Sequence, residues 1–310
     1  MLSITAVDTK GNEISLNAVE SLLICMDADT PCDSLTAVFS DIIREELAQI
    51  VLSDKGKTVY RGIVDEQTVY VGESVKTEII ARSMAALLVD NEALPMTYRM
   101  ANSEILFRRY LKPLGIDSYT DEQGKALHLF TVAKGDSCWQ AAENFSKKIY
   151  GCIPRVEDNV LHFEGVRSER EVVFSNAPES RHTFTRLEYN RRRCKLISKV
   201  NAKVRSGGDY TCAVKNTSVQ DKSVVRERYV NAVKSPVKYI SGEQGLFTKS
   251  NSEYESLVLY TPCCHTDLLG AKVRVKGSAD EEISGFRVVS VRYSFTHSGE
   301  STKLILKKEN

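Results

Sequence analysis

A cysteine at the expected start of a helix is the residue best placed for nucleophilic chemistry. Cys138 lies in the stretch Gly135-Asp-Ser-Cys-Trp139. A helix N-terminus favours negative charge, and the thiolate is the reactive form of cysteine. Such a nucleophile also needs a histidine base that a third group orients. His265 or His297 could be the base, but no asparagine follows either until Asn310.

The residues around Cys138 favour a structural interpretation. The stretch resembles the segment around the nucleophile of papain-like proteases. However, residues 127–133 hold no glutamine that could build an oxyanion hole. The favoured interpretation is a helix from Cys138 to Tyr150, capped by Asp136 or Ser137, with Trp139 in the core. A cysteine-dependent peptide or cell-wall hydrolase that uses Cys138 is kept as the alternative function.

Two further stretches partly match metal sites. In Cys263-Cys-His265 the adjacent cysteines would point in opposite directions on a strand, and no second Cys/His pair stands at a chelating interval. Residues 27–33 begin like a calcium loop, but Cys32 replaces the sharp-turn glycine and Val38 replaces the bidentate glutamate. We therefore expect no catalytic residue, no metal ligand and no cofactor, and a protein that is not an enzyme.

The charges give little reason to expect nucleic acid or a membrane as partner. The chain has 42 Lys and Arg against 41 Asp and Glu, for a net charge of +1. The strongest local cluster is Arg191, Arg192 and Arg193, near Arg186 and Lys195. Phosphate binding is one interpretation. A solvated strand end or salt bridges between subunits is the favoured one, because no aromatic residues interleave with the cluster.

Targeting and redox signals indicate a protein made in the cytoplasm. No apolar run approaches the ~20 residues of a membrane helix. The sequence begins Met-Leu-Ser-Ile-Thr-Ala-Val-Asp, without the basic start and apolar region of a secretory signal. The eight cysteines are therefore expected to be reduced.

Apolar periodicity predicts a mainly β fold with a small α+β insert. Residues 1–82 read as strands of a first tube-like β domain, a barrel or a sandwich. Residues 83–168 contain three helical patterns, at 83–89, 102–111 and 138–150, followed by a hairpin. Residues 169–310 read as a second tube-like β domain. Within it, residues 216–256 are polar and predict a loop, short strands and at most a one-turn helix.

The second β domain closes on a long hairpin at residues 283–308. Two alternating runs flank a turn at Ser298-Gly299. Phe286, Val288, Val289 and Val291 make the first strand apolar on both faces. We therefore expect a sheet or a subunit to pack on each side of it.

Three stretches together resemble the baseplate hub proteins of contractile phage tails and tailocins, the family of late-control D proteins and the Mu-type hub. The first, Ile79-Ile-Ala-Arg-Ser-Met-Ala-Ala-Leu-Leu-Val-Asp90, is similar to a "GRD/GRS…LVD" passage, with Ala81 where glycine is common. The second is Lys134-Gly-Asp-Ser-Cys-Trp-Gln-Ala-Ala-Glu-Asn-Phe145, with the hairpin after it. The third is the terminal hairpin, from Gly285-Phe-Arg-Val-Val-Ser to Lys-Leu-Ile-Leu306.

The resemblance implies a structural protein: a homotrimer that adapts the sixfold tail tube to the threefold central spike. The implied partners are the tail tube protein, the spike, baseplate wedge and LysM-type baseplate proteins, and the tape measure protein. The implied location is the baseplate of a virion or phage-tail-like particle made in the bacterial cytoplasm, with no membrane contact at rest. A free-standing ligand-binding β protein is a third possibility. The interface residues we expect are Arg191, Arg192, Arg193, Phe286, Val289 and Val291.

Overall fold

The computed structural model describes residues 2–166, 168–203, 208–230, 236–277 and 282–309, and only the backbone at 220–222 and 236–244. Strands dominate, which confirms the mainly β fold class. The chain forms two compact units. Unit 1 comprises Met1–Arg170, Thr261–Ala271 and Val289–Leu304, and unit 2 comprises Glu171–Tyr260, Lys272–Val288 and Ile305–Asn310. The predicted boundaries after residues 82 and 168 stay predictions.

The N-terminal part of unit 1 is an antiparallel sheet. Its strands are β1 (Leu2–Asp8), β2 (Glu13–Leu16), β3 (Val19–Asp27), β4 (Ser34–Phe39), β5 (Leu47–Asp54), β6 (Lys57–Val71) and β7 (Val75–Ser83). Neighbouring strands follow the order β3-β4-β7-β6-β5-β1-β2, and each pairing is antiparallel. More buried and more exposed residues alternate along these strands, because successive side chains of a strand point to opposite faces. Ile24 of β3, Leu35 of β4 and Ile79 of β7 are among the fully buried residues.

Strand β6 is longer than the sequence pattern predicts. The alternation indicates two strands, at 57–64 and 67–71, but the structure has one strand with an irregularity between Val64 and Glu66. Halfway along it, a Cβ atom at Gly62 would lie 2.3 Å from the carbonyl oxygen of Arg82. Only glycine permits this close approach of β6 to β7.

An α+β module follows within unit 1. Its elements are α1 (Ala86–Asp90), β8 (Met96–Ala101), α2 (Ser103–Leu106), β9 (Ser118–Thr120), β10 (Leu127–Val132), α3 (Cys138–Ile149), β11 (Arg155–Glu157) and β12 (Val160–His162). The helix predicted at 102–111 starts at its Asn102 cap but is α-helical only to Leu106 and continues as a π-helix, Phe107–Leu111. Ser137, not Asp136, caps α3, and its side chain accepts a hydrogen bond from the Gln140 amide.

A buried ion pair joins this module to the sheet of unit 1. The Arg155 guanidinium donates to the Asp33 carboxylate, and the two residues are 2% and 6% exposed. Arg155 also donates to the carbonyl oxygen of Asp27 at 3.3 Å. Burial raises the pKa of Asp33, and the charge of Arg155 opposes that shift. Asp33 therefore serves the fold and is not part of a calcium loop.

Unit 2 contains further strands of the 13-stranded sheet and an inserted module. Its elements are β13 (Glu171–Ser175), β14 (Arg186–Arg191), β15 (Lys199–Ala202), β16 (Cys212–Lys215), β17 (Glu227–Val230), α4 (Pro236–Tyr254), β18 (Glu255–Thr261) and β19 (Lys272–Lys276). Strands β14 and β18 pair antiparallel, whereas β13 pairs parallel with β19. The alternation of residues 181–190 predicts a strand from Arg181, but β14 begins only at Arg186.

The insertion between β14 and β18 contradicts the sequence prediction. Residues 216–256 contain a helix of 19 residues, α4, where a loop with at most one helical turn is predicted. The sequence pattern also predicts a hairpin of strands at 194–205 and 209–215, but the first of these begins with a 3-10 turn, Arg193–Lys195, followed by the short β15. Its predicted hairpin with β16 does form, although Gly207 of the predicted turn lies outside the described residues.

The closing hairpin is present as predicted, with strands β20 (Glu282–Thr296) and β21 (Gly299–Lys308). In unit 1, β20 pairs antiparallel with β3, and in unit 2 it pairs with β19. The buried face of β20 changes along the strand. Phe286, Val288 and Ser290 are buried in its first half, and Val291 and Tyr293 in its second.

Candidate interaction surfaces

The environment of Cys138 disfavours nucleophilic chemistry. The residue is the first of α3 but is 4% exposed. It belongs to the apolar cluster of the module, which also contains Trp139 and Phe145. Burial raises the pKa of the Cys138 thiol, so the neutral form prevails. An activated nucleophile requires the opposite shift, and the hydrolase alternative gains no support.

Cys263 and His265 are in contact, but they do not form a metal cluster. The Sγ of Cys263 lies 3.1 Å from Nε2 of His265. Burial raises the pKa of the Cys263 thiol. The Thr302 hydroxyl fixes the turn, because it donates a hydrogen bond to the Cys263 carbonyl oxygen and accepts one from the His265 amide. In the part of the chain that the structure describes, no three His, Cys, Asp or Glu side chains gather closely enough to hold a metal ion.

The predicted arginine cluster is an exposed surface at the end of β14. Arg191, Arg192 and Arg193 are all exposed. The Arg191 guanidinium lies 4.9 Å from the ring centre of Tyr189, and a hydrogen bond with the Tyr189 side chain raises the pKa of Arg191. The Arg192 amide donates to the Tyr254 carbonyl at 2.8 Å, so backbone pairing fixes the position of the cluster. The cluster therefore places positive charge at a fixed position on the surface, at the end of strand β14.

The three predicted interface residues on β20 differ in exposure. Phe286 and Val291 are 3% and 0% exposed within this chain, whereas Val289 is half-buried. Phe286 packs edge-to-face on Tyr189 with ring centres 6.3 Å apart. Of the three, Val289 has the most surface left for a partner. The role of all three in an interface stays a prediction.

An apolar hairpin tip is a surface that the sequence analysis missed. Strands β6 and β7 extend to the pair Val71 and Val75, and Val71 is 77% exposed. Tyr70 is 51% exposed and donates to Glu78 at 3.0 Å. The signal was present in the sequence, since residues 69–71 are Val, Tyr and Val and stand directly before Gly72. Exposed apolar residues grouped in this way are typical of interaction surfaces.

The candidate surfaces are thus faces and edges of sheets rather than a catalytic cleft. Among the described residues, no helix is both long and apolar enough to cross a membrane. No protein-family profile matches the chain, and no curated protein matches it either.

Solved structures nevertheless match the chain from end to end. The tail protein from Neisseria meningitidis superposes with a TM-score of 0.77 at 18% identity, covering 99% of this chain and 96% of its own. The 43 kDa tail protein of prophage MuSo2 from Shewanella oneidensis gives 0.78 at 13% identity, covering 99% and 98%. The chain has the fold of phage tail proteins. A type VI secretion system component of E. coli has a similar fold, with a TM-score of 0.59 at 12% identity over 100% of this chain and 77% of its own.

Proposed function

We propose that this chain is a structural baseplate hub of a contractile phage tail or phage-tail-like particle. The observation that supports this most is that the phage tail fold extends over 99% of the chain in two tail proteins. The likeness therefore involves the whole architecture and not one shared domain. At such low identity a common fold does not fix function, so the proposal also rests on the strand edges and surfaces of the chain.

The proposed hub is a homotrimer that adapts a sixfold tail tube to a threefold spike. Each chain contains two compact units, and each unit holds strands of the 13-stranded sheet. Three chains supply six such units, the number that a sixfold ring requires. Strands β2, in unit 1, and β14, in unit 2, stand at the two ends of the strand order of this sheet. Joining such edges between subunits satisfies their free backbone groups.

The proposed partners follow from the same role. They are the tail tube protein, the central spike protein, baseplate wedge and LysM-type baseplate proteins, and the tape measure protein. The E. coli type VI component, which is described as similar to T4 bacteriophage tail proteins gp27 and gp5, supports a place in an injection machine. The protein would be made in the bacterial cytoplasm, reside in the baseplate and catalyse no reaction.

The oligomeric state of the purified full-length protein tests the proposal. We expect mass photometry at micromolar concentration to show trimers, and co-expression with the spike protein of the same particle to give a stable complex. A protein that is entirely monomeric, and whose measured mass does not change when the spike protein is present, would overturn the hub proposal.

A charge reversal tests whether the arginine cluster contributes to the trimer. Arg192→Glu should shift the population from trimer to monomer without changing the melting temperature, because Arg192 is exposed. The matched control is Arg44→Glu, which reverses an exposed arginine of unit 1. An unchanged trimer fraction would place Arg192 outside the interface.

A further inference from the structure

Unit 1 contains an acidic cavity that the proposed scaffold role does not explain. Its volume is about 270 Å³, and five of its nine lining residues are titratable. The five are Glu122, Glu157, His162, Glu164 and Asp267. The first four come from the α+β module, and Asp267 comes from the turn Thr266–Leu268.

Two glycines with positive φ fix the walls of this cavity. Gly165 has φ +77°, and a Cβ atom there would lie 2.6 Å from the Ile153 carbonyl oxygen. Gly270 has φ +78°, and a Cβ atom there would lie 2.3 Å from Cγ1 of Val166. These contacts leave no room for a side chain at either position, so the chain is tightly packed directly after Glu164 and directly after Leu269, two residues that line the cavity.

A buried carboxylate with a free oxygen lines this cavity. Glu164 is 7% exposed, and its Oε2 atom is buried without a hydrogen-bond partner. An unpaired buried carboxylate oxygen is costly, so it calls for a partner that the described residues do not supply. The other oxygen, Oε1, accepts a hydrogen bond from the Thr120 hydroxyl.

The same chain of hydrogen bonds determines which ring nitrogen of His162 carries the proton. Because Thr120 donates its only proton to Glu164, the Thr120 oxygen accepts from Nδ1 of His162 at 2.9 Å. In the neutral ring the second nitrogen, Nε2, then carries the lone pair and can only accept. Carboxylates and this imidazole nitrogen make the titratable lining a set of acceptors.

The nearby cations neutralise only part of this charge. Arg170 donates to Asp267 at 2.6 Å, and this pairing holds the pKa of Asp267 below its usual range although burial alone would raise it. Arg155 lies 3.7 Å from Glu157 but is already bound to Asp33. Among the described residues, Glu122 has no basic partner, and Glu164 has only His162, whose Nδ1 lies 3.9 Å from Oε1 of Glu164.

We propose that this cavity binds a guanidinium or ammonium group, presented by an arginine or lysine side chain of a partner protein. Such a group carries only donors and one positive charge, which complements a lining of acceptors with excess negative charge. A metal ion fits less well, because the described side chains do not converge as ligands around one point. The inference does not depend on which partner the proposed hub contacts.

Calorimetric titration of the full-length protein with argininamide tests the inference. Citrullinamide, the neutral isostere, is the matched ligand. We expect saturable binding of argininamide on the order of millimolar affinity, as for a small ligand, and none of citrullinamide. Glu164→Gln keeps the shape and the Thr120 contact, and it should weaken binding about tenfold, the size of a lost charge-assisted hydrogen bond.

Two variants separate the cavity from general electrostatics. Glu122→Gln should also weaken argininamide binding, whereas Glu73→Gln, at an exposed position of the β6–β7 turn, should not. No argininamide binding, or equal affinity in Glu164→Gln and Glu73→Gln, would overturn the inference. Calcium chloride is the competing ligand. If calcium displaces argininamide from the wild type, binds more tightly than argininamide and loses affinity in Glu164→Gln, the cavity is a metal site and the inference is wrong.

Discussion

Cys138 and Cys194 are both free thiols, but their surroundings differ. Cys138 is 4% exposed within the apolar cluster of the α+β module. Cys194 is exposed between Arg193 and Lys195. The position of a cysteine at a helix start favours a thiolate only if solvent or a base stabilises the charge, and burial removes the solvent.

We expect alkylation to distinguish these two cysteines. Iodoacetamide at mildly alkaline pH should modify Cys194 rapidly and leave Cys138 unmodified in the native protein, because burial raises the pKa of the Cys138 thiol. Peptide mass spectrometry measures both sites in one sample. Cys138→Ser should leave the fold intact and particle assembly unchanged. Rapid labelling of Cys138, or particles that assemble but lose infectivity in Cys138→Ser, would revive the hydrolase alternative.

Trp139 is expected to be the main apolar anchor of helix α3. It is 3% exposed and packs in the same cluster as Phe145. Trp139→Ala should lower the free energy of unfolding by ~3–5 kcal/mol, the usual cost of truncating a buried aromatic residue. Urea unfolding followed by circular dichroism measures this, since Trp139 is the chain's single tryptophan and fluorescence is lost. Asn144→Ala, on the exposed side of α3, is the control and should change stability little.

At the level of elements, the sequence predicted those helices and hairpins whose ends and turns are determined by neighbouring residues. The capped helix α3 and the hairpin β20–β21 carry their own start, turn and alternation signals, and both were predicted. Helix α4 was missed because Gly242 and Gly245 lower its helix propensity. Phe247 of α4 packs with Ile197 and Val200, so contacts with a distant strand favour the helix.

The module between β14 and β18 should be removable. Arg191 pairs with Glu255, and the Arg192 amide donates to the Tyr254 carbonyl, so the two strands already approach hairpin geometry. Replacing residues 193–253 by Asn-Gly should give a two-residue turn of the type I′ class. The variant should remain soluble, and hydrogen exchange should still show protected amides in β14 and β18. Loss of that protection, with Trp139 fluorescence unchanged, would show that the module holds the sheet of unit 2 together.

At the level of the whole molecule, the closing hairpin contributes to both units. Strand β20 pairs in unit 2 with β19, its neighbour in sequence, and in unit 1 with β3, which is distant in sequence. Such long-range pairing and its register cannot be deduced from alternation alone. The change of buried face between Ser290 and Val291 was likewise not predicted, because both faces of β20 are apolar in sequence. This change of face determines the exposure of two expected interface residues, because it buries Val291 and leaves Val289 half-buried.

Truncation at Gly285 should abolish folding of the whole chain. It removes most of β20 and all of β21. The buried side chains lost include Phe286, Val288, Val291, Tyr293, Leu304 and Leu306. Each is worth ~1.5–3 kcal/mol of burial, and together with the lost strand pairing this exceeds the 5–15 kcal/mol stability of a typical domain. We expect no soluble protein, and tails without a spike in negative-stain micrographs of the mutant background.

Point changes on β20 separate folding from assembly. Val291→Asp puts a charge at a fully buried position and should prevent soluble expression. Val289→Asp puts the same charge at a half-buried position, so we expect a folded protein with a reduced trimer fraction and few spike-bearing tails. His297→Asp, at the exposed turn of the same hairpin, is the control and should behave as wild type. Normal trimers and spike-bearing tails from Val289→Asp would mean that β20 serves only the internal fold, and that the subunit interface lies on another surface, such as the end of β14 or the apolar tip of β6 and β7.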